Sequence, residues 1–129
     1  MTPAILPSKV LFVDDDRSMR VAFGNAARAL GIEAHVADSG RQAIELAQQA
    51  SFPVVVTDLN MPGINGIALV ERLSTLDPGT AFVLVSADPE LQSRMPVGAA
   101  GAIAAFLGKP LEMLDLQETL ARAFALHQR

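Results

Sequence analysis

The stretch from Val10 to Asp16 reads Val-Leu-Phe-Val-Asp-Asp-Asp, so that four apolar residues lead directly into three acidic ones. A run this apolar predicts a short strand that is covered on both faces, as in a parallel sheet. Four more such runs follow at fairly regular spacing: Ala34 to Ala37, Val54 to Thr57, Ala81 to Val85, and Ile103 to Leu107. The sequence therefore predicts five strands buried on both faces.

Helical patterns fill the intervals between the predicted strands. Apolar residues repeat at helical spacing from Met19 to Leu30, and Gly31 ends the repeat. Ser39 and Gln42 have the spacing of a capping box, which predicts the start of a second helix. A third helix is predicted from about Gly66 to Leu76. Each helix would lead from the end of one strand to the start of the next.

Two further helices are predicted in the last third of the chain. Asp88 and Pro89 suit the start of a fourth helix, but Pro96 requires it to be short, kinked or loosely formed. In the last helix, Asp115 and Glu118 have capping-box spacing ahead of one apolar stripe. Because strand and helix alternate throughout, we expect one parallel sheet with right-handed crossovers and helices on both faces.

The bulk composition is that of one domain. The chain has 129 residues, of which 50% are hydrophobic, and this is enough for one buried core. We expect a flexible arm at residues 1–8, one domain over residues 9–126, and a tail or the start of a linker at residues 127–129. The longest apolar run, Val97 to Gly108, is about half of the roughly 20 residues that a membrane-spanning helix needs. No membrane segment is predicted.

Charge and cysteine content narrow the function classes. The 10 basic and 14 acidic residues give a net charge of -4, which provides no basic footprint for direct nucleic-acid binding. The chain has no cysteine, which excludes disulfides and thiolate metal sites and agrees with a reducing, cytoplasmic location. The segment from Met1 to Lys9 has neither a basic leader nor a long apolar stretch, so no secretory signal is expected.

Acidic residues follow two of the predicted strands. Asp14, Asp15 and Asp16 come directly after the first strand, and Asp58 comes directly after the third. Because the carboxyl ends of parallel strands meet at one edge of the sheet, these carboxylates should converge and repel one another unless a cation neutralises them. Oxygen ligands without His or Cys favour Mg²⁺, Mn²⁺ or Ca²⁺ over zinc. We therefore predict a Mg²⁺ site with open positions, with Mn²⁺ as the alternative.

Two other strand ends supply groups that complement the carboxylates. Ser86 follows the fourth apolar run and offers a hydroxyl, and Lys109 follows the fifth and offers a positive charge. A carboxylate nucleophile, a metal, a hydroxyl and an ammonium group together suit a phosphoryl group, whose charge is spread over its oxygens. The sequence therefore predicts a phosphoryl-binding site.

At this point the chain resembles the receiver domains of bacterial two-component response regulators, including the single-domain chemotaxis type, over about Lys9 to Leu126. The motifs that carry the resemblance are Val10 to Asp16, Thr57 to Gly63 with Gly66, Ser86-Ala87, and Lys109-Pro110. The resemblance implies a flavodoxin-like, doubly wound sheet of five parallel strands in the order 2-1-3-4-5. It also implies a signalling module that catalyses only its own phosphorylation and dephosphorylation, and no other enzyme activity.

The resemblance assigns a role to each residue of the site. Asp58 would take the phosphoryl group from a phosphohistidine on a sensor histidine kinase or a histidine phosphotransfer protein. Asp15 and Asp58 would bind Mg²⁺ directly, together with the backbone carbonyl of Asn60, and Asp14 would act largely through water. Lys109 would pair with Asp58 before the transfer and with a phosphoryl oxygen afterwards.

The resemblance also implies a switch. Ser86 would move to hydrogen-bond the phosphoryl group, and Phe106 would turn into the space that Ser86 leaves, which changes the surface around the fourth and fifth helices. Asn60 and Asp88 would flank the site and position an attacking water. The peptide bond between Lys109 and Pro110 is expected to be cis. The surface change would be read by an output domain or protein, and a phosphorylation-dependent homodimer is one expected outcome.

Other readings stay open from the sequence alone. Asp14 and Asp16 have the spacing of the paired acids of a small phosphohydrolase with an aspartate nucleophile, but no later Gly-Asp-x-x-x-Asp metal motif is present. A flavodoxin-like binding module would need a phosphate loop where the three acids stand. A degenerate receiver serving as an interaction scaffold would lack a site residue, and none is missing. His35 and His127 have no acidic partner at readable spacing and are interpreted as structural or surface residues.

Overall fold

In the computed structural model, which describes residues 6–88, 90 and 103–127, strands and helices alternate along the chain. The described elements are β1 (Lys9–Val13), α1 (Arg17–Ala29), β2 (Glu33–Ala37), α2 (Gly40–Gln49), β3 (Val54–Asp58), α3 (Gly66–Leu76), β4 (Ala81–Ser86), β5 (Ile103–Gly108) and α4 (Met113–His127). All strand pairs are parallel, and the order is β2-β1-β3-β4-β5. The predicted doubly wound sheet is confirmed.

All five predicted strands are present, and each is one residue longer than predicted. The expectation that every strand is covered on both faces is wrong for both edge strands, because β5 is only partly buried and β2 is even less buried. This strand forms one edge of the sheet, and only Ala37 is fully buried in it, whereas Val36 keeps 41% of its surface exposed. A short apolar run does not show whether its strand lies at the centre or at the edge of a sheet.

The predicted signals at the end of α1 and at the start of α2 are confirmed, and α3 has a cap that was not predicted. Gly31 has a φ of 75°, the left-handed conformation that ends α1. At α2, the Ser39 hydroxyl accepts a hydrogen bond from the Gln42 amide, and the Gln42 side chain accepts one from the amide of Asp38. The capping box is therefore closed one residue earlier than the standard pattern. At α3, the Asn65 side chain accepts a hydrogen bond from the amide of Ala68.

The last helix begins earlier than predicted. We expected Asp115 to cap it, but α4 starts at Met113, so Asp115 lies inside its first turn. A carboxylate there interacts favourably with the helix dipole, which explains why the pattern resembled a cap. The predicted fourth helix, which would start at Asp88 and Pro89, lies outside the described residues except for Asp88 and Glu90.

The two ends of the chain are described only in part. Residues 1–5 of the predicted arm and residues 128 and 129 of the predicted tail lie outside the described residues. Leu6 packs against the core, and the carbonyl of Ser8 accepts a hydrogen bond from the amide of Glu33. Among the described helices, none is long and apolar enough to cross a membrane.

The sheet separates two apolar clusters. On one face α1 and α4 pack on side chains from the sheet, and the fully buried members include Val10, Phe12, Phe23, Leu116 and Leu120. On the other face α2 and α3 pack on the alternate strand residues, among them Leu11, Val13, Leu69, Phe82 and Leu84. Because apolar layers cover both faces, polar groups of the sheet can gather only at the strand ends.

Candidate functional site

Backbone hydrogen bonds hold the carboxyl ends of the strands side by side. Beyond the end of β1, the amide of Asp14 donates to the carbonyl of Ala37 on β2 (3.1 Å). Beyond the end of β5, the amide of Lys109 donates to the carbonyl of Ser86 on β4 (3.1 Å). The ladder thus runs past the last strand residues, and it fixes the backbone from which Asp14 and Lys109 project.

Three carboxylates converge at this edge. Asp14, Asp15 and Asp58 each offer an oxygen, and these three oxygens lie within 4.8 Å of one another. Asp14 is fully buried and Asp58 is 5% exposed, whereas Asp15 is exposed to solvent. The predicted convergence is confirmed for these three residues, but Asp16 is not part of the group. The group therefore has a buried base and one side open to solvent.

Lys109 lies between the two buried carboxylates. Its Nζ atom is 3.5 Å from Oδ2 of Asp14 and 3.4 Å from Oδ1 of Asp58. Burial would lower the pKa of Lys109, but the carboxylates of Asp14 and Asp58 outweigh burial, and its pKa is raised. The ammonium group therefore stays charged, and it offsets one of the negative charges at the site.

Asp14 is incompletely satisfied. Its Oδ1 atom accepts a hydrogen bond from the amide of Asp16 (2.9 Å), but its buried Oδ2 atom has no hydrogen-bond partner among the described residues. Burial raises the pKa of Asp14, the amide of Asp16 opposes that rise, and the nearby carboxylate of Asp58 adds to it. The ammonium group of Lys109 lies near Oδ2, at 3.5 Å, but a buried carboxylate that lacks a full set of hydrogen bonds is costly. A hard cation would reduce this cost. The residues present therefore fit a divalent metal ion.

The third acid of the run, Asp16, has a different role. Its Oδ1 atom accepts hydrogen bonds from both the amide and the hydroxyl of Ser18, which makes Asp16 the N-cap of α1. The hydroxyl of Ser18 lowers the pKa of Asp16. Asp14 and Asp16 are therefore not a pair of reacting acids, and the phosphohydrolase reading is not favoured.

The remaining predicted residues lie on or just after β3, β4 and β5. Ser86 is buried at the end of β4, and its hydroxyl accepts a hydrogen bond from the amide of Asp88 (3.0 Å). Phe106 is partly buried and packs against the cluster on the α2 and α3 face. Asn60 lies in the exposed loop after β3. The roles proposed for Asn60, Asp88 and Phe106 stay predictions.

Two smaller expectations have clear outcomes. The peptide bond between Lys109 and Pro110 is cis, as predicted.

The expectation that His35 has no acidic partner is wrong, because its Nε2 atom is 2.8 Å from a carboxylate oxygen of Glu33. Residues two apart on a strand project to the same face, so this pair is local to the edge strand. His127 contacts the carbonyl of Gly79 (2.6 Å).

Arg20 is a site residue that was not predicted from the sequence. Its Nη1 atom donates a hydrogen bond of 2.8 Å to the backbone carbonyl of Asp14, and so α1 holds the loop that carries the acidic residues. A basic residue one turn inside the helix that follows an acidic run is a signal that could have identified it.

Comparisons with known proteins agree with this geometry. The model of the response regulator receiver domain family matches residues 10–121. The transcriptional regulatory protein ZraR of Escherichia coli is 32% identical over 116 residues, which are 90% of this chain and 26% of ZraR. The chain thus spans about a quarter of the length of that relative.

Solved structures show the same fold. The chemotaxis protein CheY4 of Vibrio cholerae is 31% identical, with a TM-score of 0.81 over 91% of this chain and 98% of that chain. The response regulator TrrA of Thermotoga maritima, solved in complex with Mg(2+)-BeF, is 22% identical, with a TM-score of 0.77 over 86% of this chain and 94% of that chain. The chain belongs to the family of response regulator receiver domains, the signalling domains of two-component systems.

Proposed function

We propose that this chain accepts a phosphoryl group on Asp58 from the phosphohistidine of a sensor histidine kinase or a histidine phosphotransfer protein. The observation that carries the proposal is the convergence of Asp14, Asp15 and Asp58, with the ammonium group of Lys109 between the two buried carboxylates. The carboxylate of Asp58 would react. Lys109 would bind the phosphoryl group beside it, and Asp14 and Asp15 would help to hold a metal ion there.

The reaction exchanges one bond to phosphorus for another. An oxygen of Asp58 forms a bond to phosphorus as the phosphorus–nitrogen bond of the phosphohistidine breaks, and the electron pair of that bond leaves with the imidazole nitrogen, which takes up a proton. Asp58 suits the role of acceptor because it is the last residue of β3, at the carboxyl ends of the strands. There it lies next to the side of the carboxylate group that is open to solvent. An incoming phosphohistidine would approach Asp58 from that side.

The acidic residues would hold Mg²⁺, or Mn²⁺ in its place. Asp15 and Asp58 would contact the ion with the backbone carbonyl of Asn60, and Asp14 would act through water. When bound, the ion would neutralise the carboxylates and bind an oxygen of the phosphoryl group. The unpartnered Oδ2 atom of Asp14 supports this assignment, as does the Mg(2+)-BeF complex of TrrA.

Lys109 and Ser86 would bind the phosphoryl group after the transfer. Lys109 already lies 3.4 Å from Asp58, so its ammonium group needs little movement to reach a phosphoryl oxygen. Ser86 would give up its hydrogen bond with Asp88 and donate its hydroxyl proton to another phosphoryl oxygen. Phe106 would then turn inward, and the altered surface would be read by an output domain or protein or by a second copy of the chain.

Intact mass measurement tests the proposal. The protein is incubated with acetyl phosphate, with and without Mg²⁺, and is then weighed. We expect one added phosphoryl group that requires Mg²⁺ and is absent from Asp58→Asn. Asp38→Asn is the matched control, since Asp38 is an exposed aspartate that lies outside the carboxylate group, and it should be labelled like the wild type. Labelling of Asp58→Asn, or none of the wild type, would refute the assignment.

A further inference from the structure

A groove of about 560 Å³ runs between α1 and the edge strand β2. The residues that line it include Arg17, Arg20, Val21, Arg28, Ala34 and Val36. Val21 on α1 is 53% exposed and Val36 on β2 is 41% exposed, so both present apolar surface to solvent within one groove. The groove therefore combines apolar surface with three arginines.

The charge of the groove is opposite to that of the whole chain. The net charge is -4, yet none of the described residues that line the groove is acidic. Arg41 and Arg122 each lie close to a glutamate one helical turn away. By contrast, no carboxylate of the described residues lies within 4.0 Å of Arg17 or Arg28. The groove therefore complements an acidic ligand.

The spacing of Arg17 and Arg28 selects an elongated ligand. These two arginines are eleven positions apart on one helix, which corresponds to roughly 16 Å along its axis. A small anion could reach only one of them, whereas about three turns of a partner helix would span both. Between the arginines the ligand would meet Val21, and opposite it Val36. Such a ligand needs apolar side chains beside its acidic ones.

We propose that the groove between α1 and β2 is a docking surface for an acidic amphipathic helix of a partner protein. Its apolar side chains cover Val21 and Val36, and its carboxylates pair with Arg17 and Arg28. Arg20 also lines the groove, but its guanidinium group donates a hydrogen bond to the carbonyl of Asp14. We therefore do not assign it an ion pair with the ligand. The proposal goes beyond phosphoryl transfer, because none of its anchoring residues belongs to the carboxylate group.

An NMR titration of the ¹⁵N-labelled full chain tests this surface. The probe is a peptide of about 14 residues, or roughly four helical turns, with leucine and glutamate at helical spacing. We expect saturable shifts confined to amides of α1 and β2, and binding that weakens with added salt. A peptide with lysine in place of glutamate should not bind. Shifts centred elsewhere, or no binding of the acidic peptide, would overturn the proposal.

Variants separate the groove from general charge effects. The double variant Arg17→Glu with Arg28→Glu should bind the acidic peptide at least about tenfold more weakly. Val21→Asp should weaken binding similarly, and it is an exposed position at which folding is tolerant. The double variant Arg41→Glu with Arg122→Glu, at exposed arginines of α2 and α4, is the charge-matched control and should bind like the wild type. Equal weakening in all variants would refute a specific groove.

Two more measurements distinguish peptide docking from phosphoryl transfer and from self-association. Asp58→Asn should bind the peptide like the wild type, so that a failure of the phosphoryl-transfer proposal would be seen separately. Sedimentation of the chain alone should show a monomer whose state does not depend on Arg17 and Arg28. Self-association that the double variant abolishes would show that a second copy, and not an acidic partner helix, covers this groove.

Discussion

Gly66, the first residue of α3, packs directly against the backbone of Asp58. A Cβ atom at Gly66 would lie 2.5 Å from the carbonyl oxygen of Asp58 and 2.9 Å from Cα of Leu59. The amide of Gly66 also donates to the carbonyl of Leu59 (2.9 Å). Because the atoms in the way belong to the backbone, only glycine allows α3 to start this close to the end of β3.

Gly66→Ala is therefore expected to destabilise the fold by roughly 1 to 3 kcal/mol, because the clash must displace Asp58 or α3. Thermal unfolding followed by circular dichroism measures this. Gly24→Ala on α1 is the matched control: a Cβ atom there meets nothing within 4 Å, and we expect a gain of about 0.5 to 1 kcal/mol. Equal melting temperatures for the two variants would contradict the packing argument.

Arg20→Ala is expected to weaken metal binding without unfolding the chain. Arg20 holds the carbonyl of Asp14, and a hydrogen bond from a charged donor contributes about 1.5 to 3 kcal/mol. Loss of part of that energy in the metal-bound form corresponds to roughly tenfold weaker binding of Mn²⁺. The free Mn²⁺ signal in electron paramagnetic resonance reports the affinity. Arg28→Ala removes a nearby arginine outside the site and should leave the affinity unchanged.

Asp14→Asn is expected to stabilise the metal-free protein at neutral pH. Burial and the neighbouring Asp58 raise the pKa of Asp14, so the folded state binds this proton more tightly than the unfolded state. That contribution is fully present below the ordinary carboxyl pKa of about 4 and is lost as the pH rises through the raised pKa. At pH 7 the ionised carboxylate therefore destabilises the fold.

Urea unfolding in a chelating buffer checks this expectation. The advantage of Asp14→Asn over the wild type should increase from pH 4 to pH 7 and reach about 1 to 3 kcal/mol, the cost of a buried polar group that lacks a partner. Added Mg²⁺ should reduce the difference by stabilising the wild type. A variant that is less stable than the wild type at pH 7 without metal would show that Asp14 is not under electrostatic strain.

Ser51→Ala is expected to cost about 1 kcal/mol at pH 7 and less in acid. The Ser51 hydroxyl donates a hydrogen bond of 2.6 Å to Asp77, and this bond, with one from the amide of Gly79, lowers the pKa of Asp77. A lowered folded-state pKa contributes stability above the ordinary value of about 4, and the contribution is lost as the pH falls through the lowered pKa. The difference in unfolding free energy should therefore shrink below pH 4.

The matched control for this prediction is Ser8→Ala, an exposed serine outside the turn that follows α3. Its unfolding free energy should equal that of the wild type at every pH. A penalty for Ser51→Ala that stays the same from pH 7 to pH 3 would mean that the hydroxyl stabilises the turn without acting through the charge of Asp77.

The strands and the starts of α2 and α3 were predictable because their signals are local. A run such as Val54 to Thr57 indicates its own burial, and Ser39 indicates its own cap. The apolar residues of β2 did not show that this strand lies at an edge of the sheet. That position depends on which strands pair with it. The start of α4 was misjudged since an acidic residue suits both the cap and the first turn of a helix.

The residues of the site were predictable because they follow the strands of a parallel sheet. In a parallel sheet, residues just after the strands share one edge, so Asp14, Asp58, Ser86 and Lys109 had to meet there. What the sequence could not show is that Asp14 is fully buried with an unpartnered oxygen, while Asp16 is drawn away to cap α1. These differences arise from distances of a few ångströms in three dimensions, which residue spacing does not encode.

The hydroxyl oxygen of Ser86 accepts a hydrogen bond from the amide of Asp88, so Ser86 is already engaged before any phosphoryl group is present at Asp58. A hydroxyl that turns toward the phosphoryl group would weaken its hydrogen bond with the amide of Asp88. Phosphorylation would thus change the hydrogen bonding of Ser86 in two ways: the phosphoryl group gains a donor, and one contact between β4 and the residues just after it weakens. Ser86→Ala should remove the same contact without any phosphate.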